Sequence, residues 1–131
     1  MKIIIAILLC ASFLFGAKLG WSNDYKKTIA LAKEQNKEVY ILMTSSDCRW
    51  CRKFENTTLR DKKILEQLKS KYVVMHLDRD FDDFPKKFIV RIVPSHFFIT
   101  SKEDIIYKFP GYWNVEDFTS FLKDIDKIDR F

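Results

Sequence analysis

Apolar residues along this chain come in runs and spacings that separate helical from extended segments. An apolar run fills residues 3–15, broken only by Ser12. In DYKKTIALAKEQ, Tyr25, Ile29 and Ala32 fall roughly on one face, which predicts a helix capped by Ser22 or Asn23 and ended at Asn36-Lys37. VYILM, residues 39–43, is apolar without alternation, as expected of a central strand buried on both faces. The polar stretch Thr44-Ser45-Ser46-Asp47 follows, and residues 49–56 are helix-compatible, so Cys48 stands at a helix N-terminus. Asp61 caps a further helix through KKILEQLKS, with Ile64, Leu65 and Leu68 on one side. YVVMHL, residues 72–77, predicts a second buried strand ending at Asp78, followed by a short helix around residues 82–88 with Pro85 in its first turn. HFFIT and residues 105–109, joined by SKED, predict a hairpin closed by Pro110-Gly111. Asn114 caps a last helix in which Phe118, Phe121, Leu122, Ile125 and Ile128 keep the three-to-four spacing.

Strands and helices thus interleave as in an α/β protein, with no repeat, low-complexity segment or linker. The 131 residues fit one domain. A composition of 47% hydrophobic and 31% charged residues is that of a folded globular chain, and twelve Phe, five Tyr and three Trp supply the bulk for a core.

The apolar run at the start changes the picture. Lys2 gives it a positive start, and thirteen residues suit the hydrophobic region of a signal peptide but fall short of the about 20 needed to span a bilayer. Gly16-Ala17 offers small residues for cleavage, so residues 1–17 are expected to be a signal peptide, with an uncleaved anchor as the alternative. Residues 18–131 then form the folded domain. Cys10 is a hydrophobic residue of the signal, lost on maturation. Loss of Lys2 lowers the net charge from +5 to +4. Basic and acidic residues are interspersed, with no basic stripe of the kind that binds nucleic acid, so no nucleic-acid partner is expected.

Two cysteines remain, in TSSDCRWCRKF, with two residues between them. Cys48 and Cys51 are open to three readings: a redox pair, a structural disulfide, or half of a metal site. A disulfide closing so short a loop adds little loop-closure entropy, which weighs against a stability staple. His76 and His96 lie far from finger-like spacing and no second cysteine pair exists, which weighs against a metal. A C-x-x-C that opens a helix after a buried strand favours redox chemistry. Free amides and the helix dipole stabilise an anion there, so the Cys48 thiol should ionise below the usual value of about 8.5. Arg49, Arg52 and Lys53 add positive charge, and Asp47 opposes them. Cys48 would be the attacking thiolate, and Cys51, one turn further in, would resolve the mixed disulfide. Trp50, between them, is either a substrate-contacting aromatic or a tolerated one, and both histidines are read as structural.

Trp21 with the first helix, NKEVYILM, DCRWC with Lys53-Phe54, YVVMHLD, Val93-Pro94 before HFFIT, and FPGY before the last helix occur in the order found in the thioredoxin-like superfamily. Residues 20–131 resemble that superfamily, specifically its small exported members. The resemblance implies a thioredoxin-like fold, a central mixed sheet of about four strands flanked by helices. It also implies that Pro94 is cis and packs against the cysteines, and that Val93 offers backbone groups to an extended substrate segment. Two positions depart from the pattern: Asp47 stands where many thioredoxins place Trp, and Leu42 stands where many bury an acid that moves protons for the resolving thiol.

The expected function is that of an exported, periplasmic thiol–disulfide oxidoreductase, more a reductase than an oxidase. It would need no cofactor beyond its own Cys48–Cys51 disulfide and would act as a monomer. Its partners would be protein disulfides or dithiols and a membrane electron-transfer protein that recycles it. The alternative is a peptide-binding, chaperone-like module on the same fold without redox turnover.

Overall fold

The computed structural model describes residues 20–130, so the segment expected to be a signal peptide, residues 1–17 with Cys10, lies outside the described residues. Helix α1 (Tyr25–Gln35) is capped by Asp24, whose Oδ1 accepts the Lys27 N–H at 3.0 Å. Asn23 and Ser22, the expected caps, sit one and two residues too early. Ser22 instead accepts the Asp24 N–H through Oγ at 3.1 Å and so fixes the cap itself. Asn36, in the left-handed region with φ 53°, ends the helix as an αL cap.

Strands β1 (Glu38–Thr44), β2 (Tyr72–Asp78), β3 (Ser95–Ile99) and β4 (Ile105–Pro110) form one mixed sheet in the order β2-β1-β3-β4. β2 runs parallel to β1, β3 antiparallel to it, and β4 closes the expected hairpin with β3. β1 and β3 are the buried central strands. β2, expected to be buried like β1, is an edge strand whose positions alternate between buried and half-buried. Its outer side is partly covered by the chain before α1: Ser22 bridges to Met75, and its carbonyl accepts the His76 N–H at 3.0 Å. Sequence pattern alone does not separate such a covered edge from a centre.

Side chains of β1 alternate between two apolar layers, as the pleat requires. Val39, Ile41 and Met43 join the layer under α1, with Tyr25, Ile29 and Phe88. Tyr40 and Leu42 join the opposite layer, which packs Phe54 of α2 (Arg49–Asn56), Ile64 and Leu68 of α3 (Lys62–Lys71), and Phe118, Leu122 and Ile125 of α4 (Val115–Asp126). Asp61 and Asn114 cap α3 and α4 as their positions foretold. The helix expected around residues 82–88 is only a 3-10 turn, Lys86–Phe88. Pro85 is extended at ψ 144° and cannot donate to a first helical turn, while the Asp82 carboxylate accepts the Asp78 N–H at 2.7 Å and folds the chain back. Ile128 lies past the end of α4.

Candidate functional site

Register brings the chemistry-bearing segments to one end of the sheet. Met43, the penultimate residue of β1, pairs with Ser95, the first of β3, and Ser95 pairs with Pro110, the last of β4. Thr44 pairs with Asp78 at the end of β2. The loop into α2, the Val93-Pro94 segment and the loop after β4 therefore share one rim.

Cys48 is the N-cap of α2 and Cys51 lies in its first turn, the two joined in a disulfide with Cα atoms 5.2 Å apart. The Cys51 N–H donates to Cys48 Sγ at 3.1 Å, so the sulfur occupies the position in which a capping oxygen would meet an otherwise unpaired helix amide. Cys48 is 7% exposed and Cys51 1%. The difference is small, with Cys48 the more exposed of the two. Phe54, a fully buried residue of α2, anchors the motif from below, edge-on to His96 and Phe118 at ring separations of 4.8 and 5.2 Å.

Trp50 projects from the turn, 53% exposed, with its ring 5.7 Å from that of Tyr112 in the loop after β4. The Lys53 ammonium sits 5.0 Å from both ring centroids, which ties the C-x-x-C helix to that loop. Asp47 and Arg49 are exposed on either side of Cys48. Asp47 lies 3.9 Å from the Arg52 guanidinium, which also donates to the Ser46 carbonyl at 2.8 Å. The Val93–Pro94 peptide bond is cis, Pro94 is buried and Val93 half-buried. The Pro94 carbonyl accepts the Gly111 N–H at 2.7 Å, and Ser95 Oγ donates to the Ile92 carbonyl at 2.6 Å, so this segment is held on both sides.

The two histidines occupy different settings. His96 is fully buried in β3, one side of its ring bonded to Tyr40 and the other to the Gly111 carbonyl. A carbonyl accepts only, so Nε2 carries the proton and donates to Gly111 at 2.8 Å, and Nδ1 accepts from the Tyr40 hydroxyl at 2.6 Å. Burial pushes His96 down to about 4, against the pull of the Gly111 carbonyl. It is neutral at physiological pH and locks β1 to the rim loop. His76, in the edge strand, has Nε2 2.8 Å from Thr44 Oγ1 and 3.0 Å from Glu55 Oε1.

Glu55 was not singled out from the sequence. It stands four residues after Cys51 on the same helix face, and that spacing was the available signal. Cys51, Glu55, His76 and Thr44 line a cleft of about 820 Å³ on the inner side of the disulfide. Leu42, the position of the missing acid, is fully buried in the apolar layer with Phe54. Among the described residues no cluster of three acidic, His or Cys side chains is placed to hold a metal ion, and no helix is long and apolar enough to cross a membrane.

A four-stranded β2-β1-β3-β4 sheet carrying a C-x-x-C disulfide at the start of a helix defines a thioredoxin-like protein. The sequence model of the thioredoxin-like domain matches residues 25–126, and the chain belongs to that family. Among solved structures it is similar to a thioredoxin from Thermus thermophilus (20% identity, TM-score 0.70, covering 82% of this chain and 86% of that one). It is also similar to the DsbH oxidoreductase (18%, 0.68, covering 86% and 88%). A third likeness is to the periplasmic thioredoxin SoxS from Paracoccus pantotrophus (13%, 0.56, covering 68% and 95%). No curated protein matches it.

Proposed function

We propose that this protein is an exported thiol–disulfide oxidoreductase that more often reduces protein disulfides than forms them. The observation that carries the proposal is the asymmetric pair: Cys48 caps α2 with its sulfur on a backbone N–H, and Cys51 is buried one turn further on. In the reduced protein the same N–H and the helix terminus stabilise a Cys48 thiolate. That thiolate attacks one sulfur of a substrate disulfide, and the substrate's other sulfur leaves as a thiolate. Cys51 then attacks Cys48 Sγ, restores the Cys48–Cys51 disulfide and releases the second substrate thiol. Two electrons pass from the cysteine pair to the substrate, and the reverse sequence oxidises a dithiol. Direction follows the potential of the pair against its partners.

Val93 and Pro94 share the rim with the pair and would receive an extended substrate segment, and Trp50 with Tyr112 would give it an aromatic contact. Asp47 and Arg49 would tune the thiolate by opposite charges. No cofactor beyond the disulfide is required. Residues 1–17 would direct export to a periplasm, the compartment named for the similar SoxS thioredoxin, with a membrane electron-transfer protein as the source of electrons.

Reduction of insulin disulfides by the purified protein tests the reading. Wild type should turn over with a dithiol donor, Cys48→Ser should not, and Cys51→Ser should accumulate covalent mixed disulfides at Cys48. A pair that no thiol donor can open, with only non-covalent complexes recovered from Cys51→Ser, would sink the enzyme and favour a peptide-binding module.

A further inference from the structure

The resolving step requires Cys51 to lose a proton, and at 1% exposure its sulfur has little direct access to bulk water. Its inner side faces the cleft of about 820 Å³, which has room for ordered water and holds three carboxylates and one imidazole: Glu55, Asp78, Asp82 and His76. Two of the carboxylates are occupied in shaping the turn after β2. Asp78 accepts from Ser46 Oγ at 2.7 Å and from the Asp80 N–H at 2.8 Å, and Asp82 accepts from the Asp78 N–H at 2.7 Å and from Asn23 at 3.1 Å. Glu55 is different. It lies one turn beyond Cys51 on the same face of α2, where Cβ atoms stand about 5–6 Å apart, and its carboxylate meets His76 Nε2 at 3.0 Å.

From this arrangement we infer that Glu55, positioned by His76, is the proton acceptor for Cys51 in the resolving step and the proton donor to it in the reverse. The inference rests on the oxidoreductase reading above. As Cys51 Sγ attacks Cys48 Sγ, its proton passes to the Glu55 carboxylate, directly or through water in the cleft. The Cys48–substrate S–S bond breaks, and the substrate sulfur leaves with the electron pair. In the oxidising direction a substrate thiolate attacks Cys48 Sγ and forms the mixed disulfide, the Cys48–Cys51 bond breaks, and protonated Glu55 gives its proton to the departing Cys51 sulfur.

The His76 contact suits both states of the carboxyl. An ionised Glu55 accepts from Nε2–H through Oε1, and a Glu55 that takes the Cys51 proton on its other oxygen keeps that bond with the ring tautomer unchanged. No heavy atom has to move between them. Burial pushes Glu55 up, opposed by Arg52, and burial pushes His76 down, opposed by Asp82 and Asp78, so the proton-binding ranges of the two groups approach each other. From β1, Thr44 faces the pair, and the Glu55 charge adds to burial in raising the Tyr40 hydroxyl.

Single-turnover reaction of the reduced protein with the aromatic disulfide dithionitrobenzoate separates the two steps, since Cys48 releases one thiolate and Cys51 the second. The first release reports Cys48 and correct folding. In wild type the second release should persist well below the thiol range, along a limb set by Glu55. In Glu55→Gln, which keeps a hydrogen-bonding group for His76, the second release near pH 6 should fall tenfold or more and converge with wild type above about pH 9, where the thiol ionises unaided. His76→Gln should displace that limb without removing it. Superimposable wild-type and Glu55→Gln profiles, or a faster second release in the variant, would overturn the assignment of Glu55. An unmoved limb in His76→Gln would remove His76 from it. Wild type that forms no intramolecular disulfide at all would instead overturn the oxidoreductase reading.

Discussion

Acidification should weaken this fold through His96, by an amount that follows from where the residue sits. The imidazole is fully buried, neutral, and bonded on both nitrogens between Tyr40 and the Gly111 carbonyl, with a folded value of about 4 against 6.5 for the free side chain. Because the folded value is lowered, the unfolded chain binds the proton first. This contribution is nearly intact above pH 6.5, drains away as pH falls through 4, and levels off below that. The separation corresponds to about 2 kcal/mol lost by pH 5 and about 3 kcal/mol by pH 4. Glu55, pushed up by burial, works in the opposite sense, and His76 in the same sense, so the total slope does not isolate His96. His96→Gln does, since an amide can accept from Tyr40 and donate to Gly111 without titrating. Urea unfolding at pH 7, 5 and 4 should show wild type losing about 3 kcal/mol more than His96→Gln across that range. Equal losses, within about 0.5 kcal/mol, would refute the claim that a neutral buried histidine holds the rim loop to β1.

Other substitutions read other parts of the structure. Phe54→Ala removes the buried ring beneath the C-x-x-C turn and should cost about 3–5 kcal/mol in denaturant unfolding, since the ring contacts His96, Tyr112 and Phe118 from a fully buried position. A loss under about 1 kcal/mol would mean that the site does not depend on that anchor. Asp24→Ala should cost about 1 kcal/mol by the same assay, and Ser22→Ala less, because Asp24 accepts the Lys27 N–H while Ser22 only supports it. Trp50→Ala should raise KM for protein disulfides severalfold, and an unchanged KM would remove the Trp50–Tyr112 pair from the substrate surface.

Much of the frame was legible because its signals are local. VYILM is continuous and apolar, and it is the central strand; HFFIT and the segment after SKED are the hairpin; Asp61 and Asn114 cap the helices they precede. The errors arose where a distant segment decides. β2 reads as buried because its apolar residues feed both layers, yet it lies at an edge that the Ser22 segment partly covers, and that pairing spans more than fifty residues. The turn at Lys86–Phe88 looked helical until Asp82 was drawn to the Asp78 amide. That Cys48 and Cys51 meet at the start of α2 was legible from spacing. The cleft behind them was not, because His76 and Glu55 meet only when β2 and α2 are both in place, although the four-residue step from Cys51 to Glu55 was in view.

Selective alkylation of the reduced protein tests the central claim most directly. The claim is that the helix terminus makes Cys48, and not Cys51, the thiolate at neutral pH. Limiting iodoacetamide near pH 7, followed by peptide mapping, should place the label on Cys48, with a rate profile whose midpoint lies below the ordinary thiol value of about 8.5. Equal labelling, label first on Cys51, or a Cys48 midpoint at or above about 8.5 would contradict it.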